Sequence, residues 1–218
     1  MNHLRQLGIL NPREIIYPVT LIGCGGIGTP TALALAKMGC PDITLMDPDI
    51  VEGHNLPSQL FRLQDAGKGK AQACRNMILE FTDRCSVKAM ETAFDGSQEL
   101  SGIVISAVDT MEARSKIWSK VKFNLEIPLY IDGRIGGEII EVFTIQPSQI
   151  EDIEFYEKWL FPDAEAAELP CTERAIIYVG FVIGGIIASQ LKTWLKGKGG
   201  FYRRRVNFDL KTMTTVTQ

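Results

Sequence analysis

The sequence is poor in the residues that build metal sites and disulfide frameworks. It has two histidines, His3 and His54, and neither has a partner at the spacing of metal ligands. No two of its five cysteines form a Cys-x-x-Cys pair, and an odd number in a 218-residue chain favours reduced thiols in a cytosol. We therefore expect no zinc site and a cytoplasmic protein. The cysteines are Cys24, Cys40, Cys74, Cys85 and Cys171.

Long hydrophobic runs and a strong excess of charge are also missing. The longest apolar run, 175–188, has 14 residues, fewer than the about 20 that a membrane-spanning helix needs. We interpret it as a buried helix and expect no membrane partner. The net charge of −3 gives no reason to expect nucleic-acid binding. The chain is 45% hydrophobic and long enough to bury a full core, so we expect one domain over 1–218.

A glycine-rich run follows the apolar segment 19–22 and precedes a helix-forming stretch. Its first glycine permits a tight turn, the next lets the backbone approach a phosphate, and the last lets the helix lie against the strand. The unpaired amides at the start of that helix then face the anion. The pattern predicts a phosphate-binding loop, but dehydrogenases and flavoenzymes share it, so it leaves NAD and ATP both open. The glycines are Gly23, Gly25, Gly26 and Gly28.

Residues downstream of the glycine loop discriminate between these nucleotides. Asp47 ends the next apolar run and is placed to meet a ribose hydroxyl of either one. Lys70 opens a predicted helix, and Asp109 follows a predicted strand. A hydride-transfer site has no use for a lysine and a second carboxylate at the phosphate end. ATP chemistry needs a lysine to stabilise phosphate charge and a carboxylate to hold magnesium.

Strand and helix patterns alternate along the chain, which predicts an α/β fold with a doubly wound, Rossmann-like sheet and helices on both faces. We expect parallel strands in the N-terminal part and antiparallel strands after residue 135. The acidic connection 147–174 is predicted to be a loop that crosses over the sheet. The basic run 203–205 forms a solvated face, contacts that acidic loop, or steers an acidic carrier protein. Predicted strands are 19–22, 43–47, 86–90, 102–106, 128–132, 138–146 and 204–210, and predicted helices are 29–38, 70–81, 111–122 and 175–195.

From about Arg5 to Asp209, the ordered motifs resemble the ThiF/MoeB/HesA family, the ubiquitin-activating-enzyme-like adenylyltransferases. The resemblance implies attack of a protein's C-terminal carboxylate on the α-phosphate of ATP, giving an acyl-adenylate and pyrophosphate. It implies a ubiquitin-like or sulfur-carrier protein with a C-terminal Gly-Gly as partner, while other relatives act on a small peptide or a modified tRNA base. Besides the glycine loop, the motifs are 47–49, 51–52, 55–56, 59–61, 65–71 and 106–110.

The resemblance also implies a role for each matching residue. The glycine loop approaches the phosphates, Asp47 holds the ribose, Lys70 stabilises charge on the transferring phosphorus, and Asp109 binds Mg²⁺. For Asp47 and Asp109, a carboxylate that caps a nearby helix is the alternative. The remaining nucleotide-binding residues are Asp49, Asn55 and Gln59.

Arg5 matches the arginine that these enzymes lend across a dimer interface to the partner's active site. Its guanidinium can bridge two oxygens and stabilise spread-out negative charge. We therefore expect a homodimer. An ordinary surface arginine on an N-terminal helix is the alternative.

The chain departs from the family pattern at Ser58, where sulfur-carrier-activating members have a phosphate-facing arginine. Arg62 and Arg134 are candidate replacements, and we prefer Arg134 because ligand sites form at the carboxyl end of a strand. An ion pair of Arg134 with Asp132 or Glu138 is the alternative. The family's zinc cysteines are also absent. A catalytically inactive relative that binds ATP and a partner remains open, as does an NAD(P)-dependent oxidoreductase.

Cys171 occupies the position at which some relatives place a reactive cysteine, just before the last long helix. A thiol at a helix start gains acidity from the amide dipoles. The resemblance therefore implies a thioester or persulfide at Cys171. A packed residue at the start of a helix is the alternative.

Overall fold

The computed structural model describes residues 2–162, 176–197 and 202–218. These residues form one mixed sheet of eight strands: β1 (Val19–Ile22), β2 (Asp42–Met46), β3 (Ser86–Met90), β4 (Ile103–Ser106), β5 (Leu129–Gly136), β6 (Ile139–Ile145), β7 (Arg205–Asp209) and β8 (Thr214–Thr217). The helices are α1 (Gly28–Met38), α2 (Lys70–Phe81), α3 (Met111–Val121), α4 (Ile150–Glu157) and α5 (Ile177–Lys196).

The strand order is β3-β2-β1-β4-β5-β6-β7-β8. The pairs from β3 through β5 are parallel, and the pairs from β5 through β8 are antiparallel. This confirms the Rossmann-like sheet with antiparallel strands after residue 135. Because parallel strands end at the same edge, the residues that follow β1, β2 and β4 come together there.

The two faces of the sheet bury separate hydrophobic cores, because successive strand residues point to opposite sides. Leu21 packs on the side of α1, α2 and α5, whereas Ile22 packs on the side of α3 and α4. The second core contains the aromatic side chains of Trp118, Tyr130 and Tyr156, whose rings contact one another edge-on or tilted. Helices therefore cover both faces, as the sequence predicted.

Helix α5 lies close against α1 and the glycine loop. A Cβ atom on Gly180 would lie 2.4 Å from the carbonyl oxygen of Gly26, and one on Gly184 would lie 3.0 Å from the amide nitrogen of Thr31. Glycine lets the two backbones approach, and the inward face of α5 is buried, as the sequence predicted. By length and composition alone, this 20-residue helix could also cross a membrane.

The prediction of a loop over 147–174 is wrong for residues 150–157, which form helix α4. Asp152 is 1% exposed and accepts a hydrogen bond from the Gln146 amide at 2.8 Å. It also lies 2.6 Å from the Arg204 guanidinium, so burial of this carboxylate depends on a partner 52 residues away. Of the three interpretations of the basic run, the contact with the acidic connection is therefore the one that the structure shows. Residues 163–174 lie outside the described part of the chain.

Strand β8 is a second element that the sequence did not predict. It pairs with β7 in antiparallel register, from Val206 opposite Thr217 to Asp209 opposite Thr214. All four of its residues are exposed. Half-buried strands are recognised in a sequence by alternating apolar and polar residues, and this strand lacks that alternation.

Candidate functional site

The glycine loop connects β1 to α1 and is shaped by two glycines that the fold itself requires. Gly23 has φ +99°, and a Cβ atom there would lie 2.5 Å from the carbonyl oxygen of Ala107. A Cβ atom on Gly28 would lie 1.9 Å from the carbonyl oxygen of Gly23. The loop therefore packs on the end of β4 and on itself, and larger residues at these positions would force it apart.

The two middle glycines differ from this pair. A Cβ atom on Gly25 would lie 3.8 Å from Nε2 of Gln59, and one on Gly26 would lie 3.4 Å from the carbonyl oxygen of Ser58. The surrounding protein thus tolerates a side chain at Gly25. Because Gly25 has no side chain, the loop backbone is open to a ligand, and a phosphate can approach it closely.

Asp47 fixes the glycine loop to the end of β2. Its carboxylate is 6% exposed and accepts hydrogen bonds from the amides of Cys24 (2.7 Å) and Asp49 (2.9 Å). Burial raises the pKa of Asp47, and these two amide contacts oppose that effect. The contact is with the loop and not with the start of α1, where the capping residue is Ile27. Asp47 therefore lies beside the glycine loop at the end of β2, and its predicted contact with the ribose stays a prediction.

Lys70 opens α2 and is held beside the loop by Asp49. The Lys70 amide donates to the Asp49 carbonyl oxygen at 2.8 Å, and Nζ lies 2.7 Å from Oδ2 of Asp49. The lysine side chain is 12% exposed, whereas that of Asp49 is 63% exposed. The ammonium group is thus paired with an exposed carboxylate next to Asp47, and such an exposed ion pair is weak enough for a phosphate to displace the carboxylate.

Gln59 supplies an acceptor next to the loop that the described residues leave unused. Its Oε1 is buried and has no hydrogen-bond partner among them. Buried polar atoms are rarely left unpaired, and ATP offers donors in its ribose hydroxyls and adenine amino group. The Thr29 hydroxyl donates to the Gly25 carbonyl oxygen at 2.8 Å and accepts from the Leu60 amide at 3.2 Å. This hydroxyl therefore ties the segment that carries Gln59 to the loop.

Asn55 has a structural contact within the same connection. It is 6% exposed, and its side-chain oxygen accepts a hydrogen bond from the Glu52 amide at 2.9 Å. The carbonyl oxygen of Asn55 also accepts from the Gln59 amide at 3.0 Å. Asn55 thus shapes the turn that leads to Gln59, and its predicted contact with the nucleotide stays a prediction.

Asp109 lies exposed at the same edge of the sheet, two residues after Ala107, which contacts Gly23. The residue that caps α3 is Thr110, whose hydroxyl accepts from the Ala113 amide at 3.2 Å, so the capping alternative for Asp109 does not hold. The described residues contain no group of three or more His, Cys, Asp or Glu side chains that could hold a metal. A single carboxylate suits Mg²⁺, which binds through one or two carboxylates, phosphate oxygens and water.

Arg134 forms the ion pair that the sequence left as the alternative to a phosphate contact. Its Nε lies 2.7 Å from Oδ2 of Asp132, and its Nη1 donates to the Trp159 carbonyl oxygen at 2.8 Å. The residue is 8% exposed. This corrects the preferred catalytic interpretation, since the guanidinium is turned into the protein and its donors are engaged there.

Arg62, the other candidate replacement at Ser58, is also held in ion pairs. Its guanidinium lies 2.8 Å from Oδ2 of Asp65 and contacts Glu80. The hydrogen bond from Arg62 lowers the pKa of Asp65 to about 2. Neither candidate guanidinium is therefore free in this structure.

Arg5 and Cys171 are the remaining predicted catalytic residues. Arg5 is exposed in a short 3₁₀ helix, Leu4–Gln6, which is compatible with either interpretation, so its predicted role in a partner's site stays a prediction. Cys171 lies outside the described residues. Arg114, which no sequence motif singled out, is a buried arginine whose guanidinium donates to the carbonyl oxygen of Val108, the residue before Asp109. The only available signal was an arginine within the otherwise amphipathic helix α3.

The ThiF family model matches residues 17–218. The chain belongs to the ThiF family. With the glycine loop, Lys70 and Asp109 at one edge of the sheet, this membership agrees with the resemblance seen in the sequence.

Two Escherichia coli K12 proteins are among the similar curated proteins. The chain is 31% identical to the tRNA threonylcarbamoyladenosine dehydratase over 140 residues, which is 61% of the chain and 50% of that protein. It is 28% identical to the sulfur carrier protein ThiS adenylyltransferase over 76% of the chain and 66% of that protein. The chain thus spans between half and two thirds of the length of these relatives. It is also 28% identical to the SAMP-activating enzyme E1 of Haloferax volcanii, over 91% of the chain and 75% of that protein.

Solved structures share the fold. The structure of E. coli MccB with SeMet MccA matches with a TM-score of 0.75 at 19% identity, over 95% of the chain and 65% of that protein. The structure of PaaA matches with a TM-score of 0.73 at 20% identity, over 94% and 64%. These likenesses support the Rossmann-like architecture.

Proposed function

We propose that this ThiF-family chain is an adenylyltransferase that activates the C-terminal carboxylate of a ubiquitin-like or sulfur-carrier protein ending in Gly-Gly. The observation that carries the proposal is the 2.7 Å ion pair between Lys70 and Asp49, which lies beside Asp47 and the glycine loop that Asp47 binds. A lysine there can stabilise the negative charge that develops on phosphate oxygens. The relatives named as a ThiS adenylyltransferase and a SAMP-activating enzyme support this substrate class.

In this proposal, the chain's residues bind ATP and stabilise charge. The loop amides between Gly23 and Gly28 face the phosphates, and Lys70 leaves Asp49 for the phosphate oxygens. An oxygen of the carrier's C-terminal carboxylate forms a bond to the α-phosphorus, and the bond to pyrophosphate breaks. Mg²⁺ held by Asp109 would neutralise phosphate charge during this step. Stabilising the charge that builds on the phosphorus is the largest contribution such a site makes.

The N-terminal segment supports a homodimer in which Arg5 acts in the partner's site. Hydrophobic side chains beside Arg5 are exposed, with Leu4 71%, Leu7 43% and Ile9 63% accessible. Clustered exposed apolar side chains typically mark an interaction surface. The proposal also includes transfer of the activated carboxylate to Cys171. It further includes a cytoplasmic location and no zinc, nucleic-acid or membrane partner.

Two alternatives make different predictions for the same protein. An NAD(P)-dependent oxidoreductase would bind NAD(P)H and would not need Lys70. An inactive relative would bind ATP without turnover. The ion pairs of Arg62 and Arg134 support this alternative, since both candidate replacements for the family arginine at Ser58 are engaged with carboxylates. The dehydratase relative makes a modified tRNA base the alternative substrate for the same chemistry.

ATP–pyrophosphate exchange tests the proposal. The purified chain would be assayed alone, with a candidate carrier ending in Gly-Gly, and with the same carrier lacking its last glycine. We expect exchange only with the intact carrier. ATP binding without exchange for any carrier would favour the inactive relative, and binding of NAD(P)H in place of ATP would favour the oxidoreductase.

Gly25→Ala should separate the ligand's needs from those of the fold. Because the nearest atom to the new methyl group is 3.8 Å away, we expect an unfolding temperature close to that of the wild type. ATP affinity should fall about tenfold or more, since the methyl group faces the phosphates. The measurements are thermal unfolding and calorimetry with ATP. Wild-type ATP affinity in this variant would refute the phosphate-loop assignment.

Gly28→Ala is the matched comparison within the same loop. A Cβ atom there would lie 1.9 Å from a backbone carbonyl oxygen, so this variant should lose thermal stability as well as ATP binding. The two alanine variants together test whether each glycine serves the fold or the ligand.

A further inference from the structure

A buried ion cluster lies on the α3 side of the sheet, behind the segment that carries Asp109. Asp132 is fully buried, with Arg114 Nε 3.1 Å from Oδ1 and Arg134 Nε 2.7 Å from Oδ2. The Tyr156 hydroxyl donates to the same Oδ2 at 3.0 Å. Burial acts to raise the pKa of Asp132, but the two guanidiniums and the Tyr156 hydroxyl together outweigh it and lower that pKa. Asp132 therefore stays charged and holds both arginines in fixed orientations.

Arg114 extends this cluster to the candidate site. Its Nη2 donates to the carbonyl oxygens of Val108 and of Gly133, the latter at 3.3 Å. One guanidinium thus joins the carboxyl end of β4 to β5, and the residue is only 5% exposed. On the other side of Asp109, Thr110 is fixed as the cap of α3. The backbone of Asp109 is therefore held from both sides while its side chain stays exposed.

We propose that Arg114, oriented by Asp132, is a positioning residue that sets the Asp109 carboxylate for the magnesium–nucleotide complex. The inference rests on the proposed function. A lysine could pair with Asp132, but its single ammonium group cannot also span the two carbonyl oxygens that the planar guanidinium reaches. Loss of that link would free the Val108–Asp109 segment while keeping the charge.

The test is ATP binding by calorimetry, with Mg²⁺ and with EDTA, for the wild type, Asp109→Asn and Arg114→Lys. The wild type should bind ATP more tightly with Mg²⁺, and Asp109→Asn should lose that gain. In Arg114→Lys, the factor by which Mg²⁺ tightens ATP binding should be about tenfold or more smaller than in the wild type, since a small misplacement of the Asp109 carboxylate is costly. Its affinity in EDTA should be unchanged, because the hydrogen bonds described for Arg114 go to Val108, Met111, Asp132 and Gly133, outside the glycine loop.

Arg204→Lys is the matched control, since Arg204 also pairs with a buried carboxylate, Asp152 at 2.6 Å, on α4. Its gain with Mg²⁺ should equal that of the wild type. A folded Arg114→Lys that keeps the full gain would overturn the proposal. If Mg²⁺ did not tighten ATP binding even in the wild type, the proposed magnesium site itself would be wrong. This result differs from failure of the positioning role, in which the wild type shows the effect of Mg²⁺ and Arg114→Lys keeps it.

A second variant covers the case in which Arg114→Lys does not fold. Asp132→Asn keeps the Arg114 guanidinium but removes the charge that orients it, so it should also lose the Mg²⁺-dependent gain. A normal gain in folded Asp132→Asn would contradict the proposal. Loss of the fold in both variants, measured by circular dichroism, would assign the cluster a purely structural role and would also overturn it.

Discussion

Lys70→Ala is expected to lower carrier-dependent ATP–pyrophosphate exchange by about 10²–10³-fold, the usual cost of removing one donor that stabilises transition-state charge. The lysine is fixed on the first turn of α2, and its ammonium group lies 2.7 Å from the exposed Asp49 carboxylate. It can therefore move from one anion to another at little cost. The fold should survive, because the helix start is also held by the bond from the Lys70 amide to Asp49.

Lys68→Ala is the matched control for this prediction. Lys68 lies two residues earlier, and its Nζ is 3.1 Å from Oδ1 of Asp65. Its side chain is 44% exposed, so its removal should leave exchange near the wild-type rate. Equal rates in Lys70→Ala and the wild type would remove Lys70 from the proposed chemistry.

Arg134→Ala is expected to lower the free energy of unfolding by about 3–5 kcal/mol, because it leaves a buried charge short of one of its partners. Asp132 would keep Arg114 and the Tyr156 hydroxyl but lose its second guanidinium. The Trp159 carbonyl oxygen would lose the hydrogen bond from Arg134. Packing would also suffer, since the guanidinium lies 4.5 Å from the centre of the Phe143 ring. Urea unfolding of the variant and the wild type measures this change.

Lys116→Ala provides the comparison, since Lys116 forms an exposed i,i+4 pair with Glu112. Such a pair contributes about 0.3–0.5 kcal/mol, so this variant should unfold close to the wild type. If Arg134→Ala instead kept wild-type stability and lost exchange, the phosphate contact preferred from the sequence would be restored.

Local motifs made the positions of the candidate nucleotide-binding residues in the fold predictable. The glycine spacing predicted the turn between β1 and α1, and apolar residues at intervals of three and four predicted a helix over 70–81, the observed bounds of α2. Asp47, Lys70 and Asp109 follow from the same motifs, because each begins or follows an element whose pattern lies in a short stretch of sequence.

Contacts between distant segments account for what the sequence did not predict. Helix α4 depends on the Asp152–Arg204 pair, whose members are 52 residues apart, so its acidic composition alone favoured a loop. The Arg114–Asp132 pair joins α3 to β5 across 18 residues. The environment of Arg134 depends on Trp159 and Tyr156, which no local pattern places against β5.

The most direct test of the central claim is the intact mass of the carrier protein after incubation with the chain, ATP and Mg²⁺. The account predicts a carrier that gains one adenylyl group at its C-terminal glycine, with pyrophosphate released. The gain should be absent with Lys70→Ala and with a carrier lacking that glycine. A carrier that neither gains this mass nor becomes attached to the chain, although the chain binds both ATP and the carrier, would contradict the account.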